Sequence, residues 1–230
     1  MQPGIVGVPV CPSSCLCKKS RLTGDVKCSF WNDHFTLGCS MTRPRLFDEA
    51  TVLGDAMNAF RRAGFAGISI KDLSDATGLT SGSIYNAFGD KEGLYRAAFG
   101  HYIDAVIRHR IETYIGEASD LDGLEQLFLS LLLPAPESGD LGCLLTNAAV
   151  EFGAQPSVAS EGLAEGFAVL EAAIRQVVER QIGGGQVDLH VVRLLLLYQG
   201  ILVLIRAGRD VSACPAVIRS EFEQLRKLLP

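Results

Sequence analysis

The chain has no excess of positive charge. Its 230 residues carry 21 Lys and Arg against 26 Asp and Glu, a net charge of −5 with a pI near 5.4, which excludes a general polyanion binder held by bulk electrostatics. Catalytic signatures are also missing. No glycine-rich phosphate loop follows a strand-like run, no Ser-His-Asp or Cys-His set appears, and no His, Asp and Glu cluster has metal-ligand spacing. The four histidines, His34, His101, His109 and His190, are scattered. An enzyme is therefore not expected, nor a cofactor or a bound metal. Long apolar runs are short of what a bilayer needs: residues 194–205 are apolar on nearly every side, but these twelve residues include Tyr198 and Gln199, and a span takes about 20. No membrane association is expected; the expected location is cytoplasmic. Strand-like alternation is missing as well, so the expected fold is all-α.

What is present begins with cysteine. Cys11, Cys15, Cys17, Cys28 and Cys39 place five of the seven cysteines before Met41. Their spacings of four, two, eleven and eleven lack the paired knuckles of structural zinc sites, even with His34 as a further ligand. A secretory signal is a poor match, because no cation precedes the short apolar run at residues 5–10 and no long apolar core follows. Residues 1–40 are read as an unstructured N-terminal extension, consistent with translation from too early a start and a native beginning at Met41. The expected organisation is then residues 1–40 as extension, 41–90 as a small helical head and 91–230 as a helical body.

The head carries the densest information. Ala50, Leu53, Ala56, Met57, Phe60 and Ala63 recur at three- and four-residue spacing, which predicts an amphipathic helix over residues 47–62 ended by Gly64. Arg61 and Arg62, at its C-terminal end, are read as solvated cations that favour the dipole. Ser69 followed by Asp72 predicts an N-cap for a second, short helix that Gly78 closes. Small Ser74 is expected at the crossing point, with Leu73, Leu79, Ile84 and Phe88 beneath. Thr80 caps a third helix whose outward residues, Ser81, Gly82, Ser83, Tyr85 and Asn86, are polar or small rather than Lys and Glu. This is the pattern of a helix-turn-helix that lays its second helix in the major groove. Asn86 can pair with an adenine edge, Ser81 and Ser83 can donate or accept at base edges, and Gly82 permits close backbone approach. Tyr85 can direct its hydroxyl to a phosphate. Asp90 caps the next helix, where the first N–H groups and the Lys91 ammonium form a phosphate site. Ser69 and Lys71 flank the same face, and Arg43 and Arg45 form a basic arm before the first helix.

These residues together, from the run at 65–73 to the run at 78–94, resemble the N-terminal domain of TetR/AcrR-type transcriptional regulators. The resemblance covers roughly residues 43–102. It implies an all-α homodimer that binds double-stranded palindromic operator DNA, usually as a repressor, and releases it when a small molecule enters the C-terminal domain. Ser81 stands where such proteins often carry Lys or Arg, and Asn86-Ala87 where a His often precedes the Phe, so no operator sequence is carried over.

In the body, the helix bearing Leu94, Ala98, Tyr102, Val106 and Ile107 is expected to continue past Thr113. Residues 121–133 form another helix stopped by Pro134, residues 134–141 a loop, residues 144–152 and 157–181 further helices, and residues 187–207 a last long one after Gly183-Gly184-Gly185. The last two long helices are expected to pair with their symmetry mates as a four-helix dimer interface. An unknown small-molecule effector is expected among Phe99, Tyr102, Phe128, Leu132, Cys143, Asn147, Phe152 and His190. Cys143 opens a helix, where a thiol can gain thiolate character. The alternative to a ligand-released repressor is a helical small-molecule carrier or sensor without DNA activity.

Overall fold

A computed structural model of the chain describes residues 17–19, 26–28, 47–133 and 142–229. Arg43 and Arg45 lie outside the described residues, as does the expected loop at 134–141. The chain divides into two compact units, Met1–Leu46 and Phe47–Pro230. In the first, β1 (Cys17–Lys19) pairs antiparallel with β2 (Val26–Cys28), with Cys17 opposite Cys28. The extension was expected to hold no regular structure, and this short ladder departs from that.

The second unit is all helical among its described residues. Its head comprises α1 (Glu49–Gly67), α2 (Ile70–Thr77) and α3 (Ser81–Phe88). Gly64, at φ 74° and ψ 169°, breaks the helical path inside α1, a conformation that residues with a Cβ rarely hold. A long helix then joins head to body: α4 (Lys91–Tyr102), a π-helical stretch over Ile103–Arg108, and α5 (His109–Tyr114). The expected continuation past Thr113 is present. The head and the body share this helix, and α1 packs along α4 and against α7 (Leu144–Phe152). The boundary between compact units falls at Leu46 and Phe47.

The body is completed by α6 (Leu121–Leu129) with a 3-10 turn at Ser130–Leu132, α8 (Ser160–Gln181), α9 (Val187–Arg206) and α10 (Cys214–Arg226). The sequence reading ended its helices at residue 207 and missed α10. Pro215 sits in the first turn of α10, where its missing N–H is harmless. Ile218, Phe222 and Leu225 bury one face of it, and Arg226 ties it to Asp122 and Glu125 of α6.

One apolar core runs through the second unit. Phe60, Phe65, Tyr95, Phe99 and Phe152 form a ring cluster beneath the head. Phe128 meets Tyr198 and Phe222 edge-on at 5.5 and 5.4 Å in the body. Such geometry adds to simple area burial.

Candidate DNA-reading surface and effector cavity

Local hydrogen bonds fix the geometry of the reading face. Ser69 Oγ accepts the Asp72 N–H at 3.2 Å while the Asp72 carboxylate accepts the Ser69 N–H at 2.9 Å, a complete capping box at the start of α2. These bonds hold the Asp72 carboxyl below its ordinary value, the Ser69 hydroxyl being the largest cause. Gly78 closes α2 at φ 69°, and Ser74 Oγ donates across the turn to the Leu79 carbonyl. Thr80 Oγ1 accepts the Ser83 N–H at 3.1 Å to open α3. Leu73 and Ile84 are fully buried beneath the pair, and Phe47 meets Phe88 at 6.4 Å.

The opposite face is open. Ser69, Lys71, Thr80, Gly82, Tyr85 and Asn86 are exposed, with Ser81 and Ser83 half-buried. Tyr85 stands out among them, an aromatic ring 51% exposed. Asp90 caps α4 by accepting the Gly93 N–H at 2.7 Å, leaving the first N–H groups of that helix outside its own ladder. A Cβ at Gly93 would overlap the Phe88 carbonyl oxygen, so this corner requires glycine. Lys91 is turned inward more than its expected role implies: Nζ donates to the Ile68 carbonyl at 2.7 Å and lies 4.4 Å from the Phe65 ring centroid. Of the phosphate site expected here, the helix amides are open and the Lys91 ammonium is largely engaged.

The far end of α1 is bound to the body by polar contacts. Arg61, expected to be solvated, is half-buried: Nε and one terminal nitrogen donate to the Gly142 carbonyl at 2.9 and 2.6 Å, and the other terminal nitrogen donates to Asn58 Oδ1 at 3.0 Å. Asn147 of α7 donates to the Arg61 carbonyl at 3.3 Å, and Arg206 of α9 to the Arg62 carbonyl at 3.3 Å. The Glu151 carboxylate accepts the N–H groups of Phe65 and Ala66 at 3.0 and 2.8 Å. Donors and acceptors that Gly64 removes from the helical ladder thus find partners on α7 and α9.

Beside this junction lies a cavity of about 370 Å³, within the range of small-molecule sites. Its apolar walls come from Val106, Ile107, Leu131, Leu132, Leu202 and Ile205, and its polar groups from Arg61, Arg110, Arg209, Tyr102, Tyr198 and Cys143. Burial raises the Tyr102 and Tyr198 phenols well above the ordinary value, with the Cys143 sulfur beside both as a further cause, so both hydroxyls stay protonated. Cys143 holds the N-cap position of α7, buried, without a side-chain cap bond.

Of the residues expected around an effector, Tyr102, Leu132 and Cys143 line this cavity. Asn147 serves the α1 junction. Phe99, Phe128 and Phe152 belong to the aromatic clusters, and His190 is buried away from the lining with neither ring nitrogen partnered. The sequence reading did not place Arg61, Arg110 or Arg209 at the cavity. Among the described residues no group of three or more His, Cys, Asp or Glu is arranged to hold a metal ion.

Comparison with known proteins bears on the same regions. The sequence model for "Bacterial regulatory proteins, tetR family" matches residues 52–98, from α1 into α4. The chain is 27% identical over 153 residues to the HTH-type transcriptional repressor ComR of Escherichia coli, covering 66% of this chain and 73% of that one. It is 33% identical over 61 residues to the HTH-type transcriptional repressor BdcR of the same organism, covering 26% of this chain and 31% of that one. Among solved structures, a cysteine mutant of the TetR family transcriptional regulator CifR, complexed with 26-bp double-strand operator DNA, is 25% identical. It superposes with a TM-score of 0.63 over 82% of this chain and 100% of its own.

Proposed function

This chain belongs to the tetR family of bacterial regulatory proteins, and from that premise we propose that it is a homodimeric repressor that grips a palindromic double-stranded operator until a small molecule enters the cavity. It is a DNA-binding transcriptional regulator with an N-terminal helix-turn-helix and a C-terminal helical domain. The observation that carries the repressor reading is the face of α3, whose polar and small side chains stand exposed while Ile84 beneath them is fully buried. A ligand carrier has no use for such a face.

Each part has an assigned task. Asn86, Ser81 and Ser83 read base edges, Gly82 allows close approach, and Tyr85, Thr80 and the α4 amides contact backbone phosphates, with Ser69 and Lys71 alongside. Arg43 and Arg45 extend this contact as a basic arm. A two-fold dimer places two copies of α3 in successive major grooves, about 34 Å apart. The exposed side chains Leu189, Val192, Leu196 and Val203 run along one face of α9, and a second copy of the chain covers them. By length and composition α9 is apolar enough to cross a membrane, but its other face, with Val191, Leu194 and Ile201, is buried in the body. A dimer interface suits that division, and the protein acts in the cytoplasm. The effector binds best to an arrangement of the heads that does not match the operator, and linkage converts that preference into release.

Footprinting the purified chain on the DNA flanking its own gene tests this reading. A two-fold symmetric protected site is expected, and it is lost in a Tyr85→Ala, Asn86→Ala variant that still folds. Absence of any protected site, or protection unaffected by those changes, refutes the reading.

A further inference from the structure

Three guanidinium groups, from Arg61, Arg110 and Arg209, line the cavity, and among the described residues no carboxylate is in the lining. Neither Arg110 nor Arg209 has an ion-pair partner among the described residues. Arg61 spends three of its five N–H donors on Gly142 and Asn58, leaving two for a ligand. Arg110 is half-buried and Arg209 lies exposed, in the segment after α9. Cationic charge beside apolar walls is stabilised by a counter-charge and repels a cation.

We propose that the cavity selects an amphipathic monoanion, a carboxylate on an apolar body, with the carboxylate held by Arg110 and Arg209 and the body against Val106, Leu131 and Leu202. The guanidinium fork matches a planar carboxylate in two parallel bonds, which an ammonium cannot reproduce. Because Arg61 lines the cavity and also holds the Gly142 carbonyl, an anion that draws on its guanidinium competes with the bond joining α1 to α7. Ligand charge is in this way coupled to the seating of the head. The inference rests on the reading of this cavity as the effector site and assigns the ligand class.

The test uses the full chain without DNA, so that it stands apart from operator binding. Octanoate, its neutral counterpart octanamide and the cation octylammonium are titrated by calorimetry and by thermal melting. Saturable octanoate binding is expected, at least tenfold tighter than octanamide, with none for octylammonium. Arg110→Gln is expected to weaken octanoate about tenfold, the loss of one charge-assisted bond, and Arg110→Lys to recover part of it. Arg209→Gln, at an exposed position, gives a second reading free of folding defects and is expected to weaken octanoate in the same direction. Equal binding of octanamide, preference for octylammonium, failure of octanoate to bind, or indifference to both arginine substitutions overturns the proposal. A chain that binds octanoate selectively yet protects no DNA would refute the repressor reading and leave this one intact.

Discussion

Arg61 on the first helix of the reading head donates twice to the carbonyl oxygen of Gly142, at 2.9 and 2.6 Å, and both residues line the cavity. Gly142 adopts φ 70°, with Arg206 and Asn147 crowding the place a Cβ would take. A glycine carbonyl is therefore held at one orientation against a guanidinium whose backbone belongs to the first helix of the head. The cavity and the head meet here through one hydrogen-bonded pair.

Replacing Arg61 with Met keeps its aliphatic bulk and removes the bond. A partly buried acceptor that loses a charged donor costs roughly 1 kcal/mol, read as a lower denaturation midpoint with an unchanged slope. Amide exchange should rise at the C-terminal part of α1 and the start of α7 while α10 stays protected. Unchanged stability and exchange would mean that water replaces the guanidinium without loss.

Glu151 provides a second tie. Its carboxylate accepts from both Phe65 and Ala66 beside the Gly64 break, and it lies where a Cβ on Gly64 would crowd it. Glu151→Ala leaves two N–H groups to solvent, and because the site is exposed the expected loss is about 1 kcal/mol. Glu151→Gln retains one acceptor and should lose less. Exchange rates of the Phe65 and Ala66 amides check this directly: equal protection in both variants would show that the carboxylate is incidental.

The head was legible before the structure because its instructions are local. Ser69 with Asp72, Thr80 with Ser83, and Asp90 with Gly93 each act across three residues, and Gly78 closes α2 in the left-handed conformation its position demands. The cavity was not legible in the same way. Arg61, Arg110 and Arg209 come from α1, α5 and the segment after α9, and no local spacing marks their convergence. Arg61 was read as a solvated dipole partner because its acceptor, Gly142, is brought to it only by packing of α7 on α1. The last helix was missed for a different reason. The sequence reading stops at residue 207, although Ile218, Phe222 and Leu225 carry a helical period beyond it.

The capping box sets a pH dependence. The Asp72 carboxyl titrates below the ordinary 3.8 because Ser69 bonds its charged form, so its contribution is complete above the unfolded value and is lost as pH falls through the depressed folded value. In Ser69→Ala the Asp72 carboxyl should return toward 3.8, and acid unfolding of the head should begin at higher pH. Carboxyl carbon chemical shifts followed from pH 6 to pH 2 measure the first. An Asp72 titration identical in both proteins would remove the box from the account.

On α3, Asn86 and Tyr85 are separable by the kind of loss they cause. Asn86→Ala should cost about 1–3 kcal/mol on the cognate operator and little on mismatched DNA, flattening discrimination at one base pair. Tyr85→Phe removes a hydroxyl assigned to phosphate and should weaken all sequences alike. Binding titrations on the footprinted site and on single-base variants distinguish them. A uniform loss for Asn86→Ala would move that residue to the backbone.

The proposed dimer rests on a face of α9 that the single chain leaves exposed. Leu196 is 68% exposed in mid-helix, with Val192 one turn before it and Val203 two turns beyond on the same side. Apolar surface contributes about 25 cal/mol per Å² on burial, so four such side chains against their symmetry mates supply a substantial part of an interface. A carboxylate introduced at the centre meets its own copy across the two-fold axis, which adds charge repulsion to desolvation. Leu196→Glu should therefore sediment as a folded monomer with unchanged helical content. It should also lose most operator affinity, because one head engages only half a palindrome. Val217 is also exposed, at 52%, but lies on α10, so Val217→Glu serves as the control and should remain dimeric. If Leu196→Glu stayed dimeric, the two copies would have to meet through another surface, and the spacing of their reading heads would no longer follow from α9.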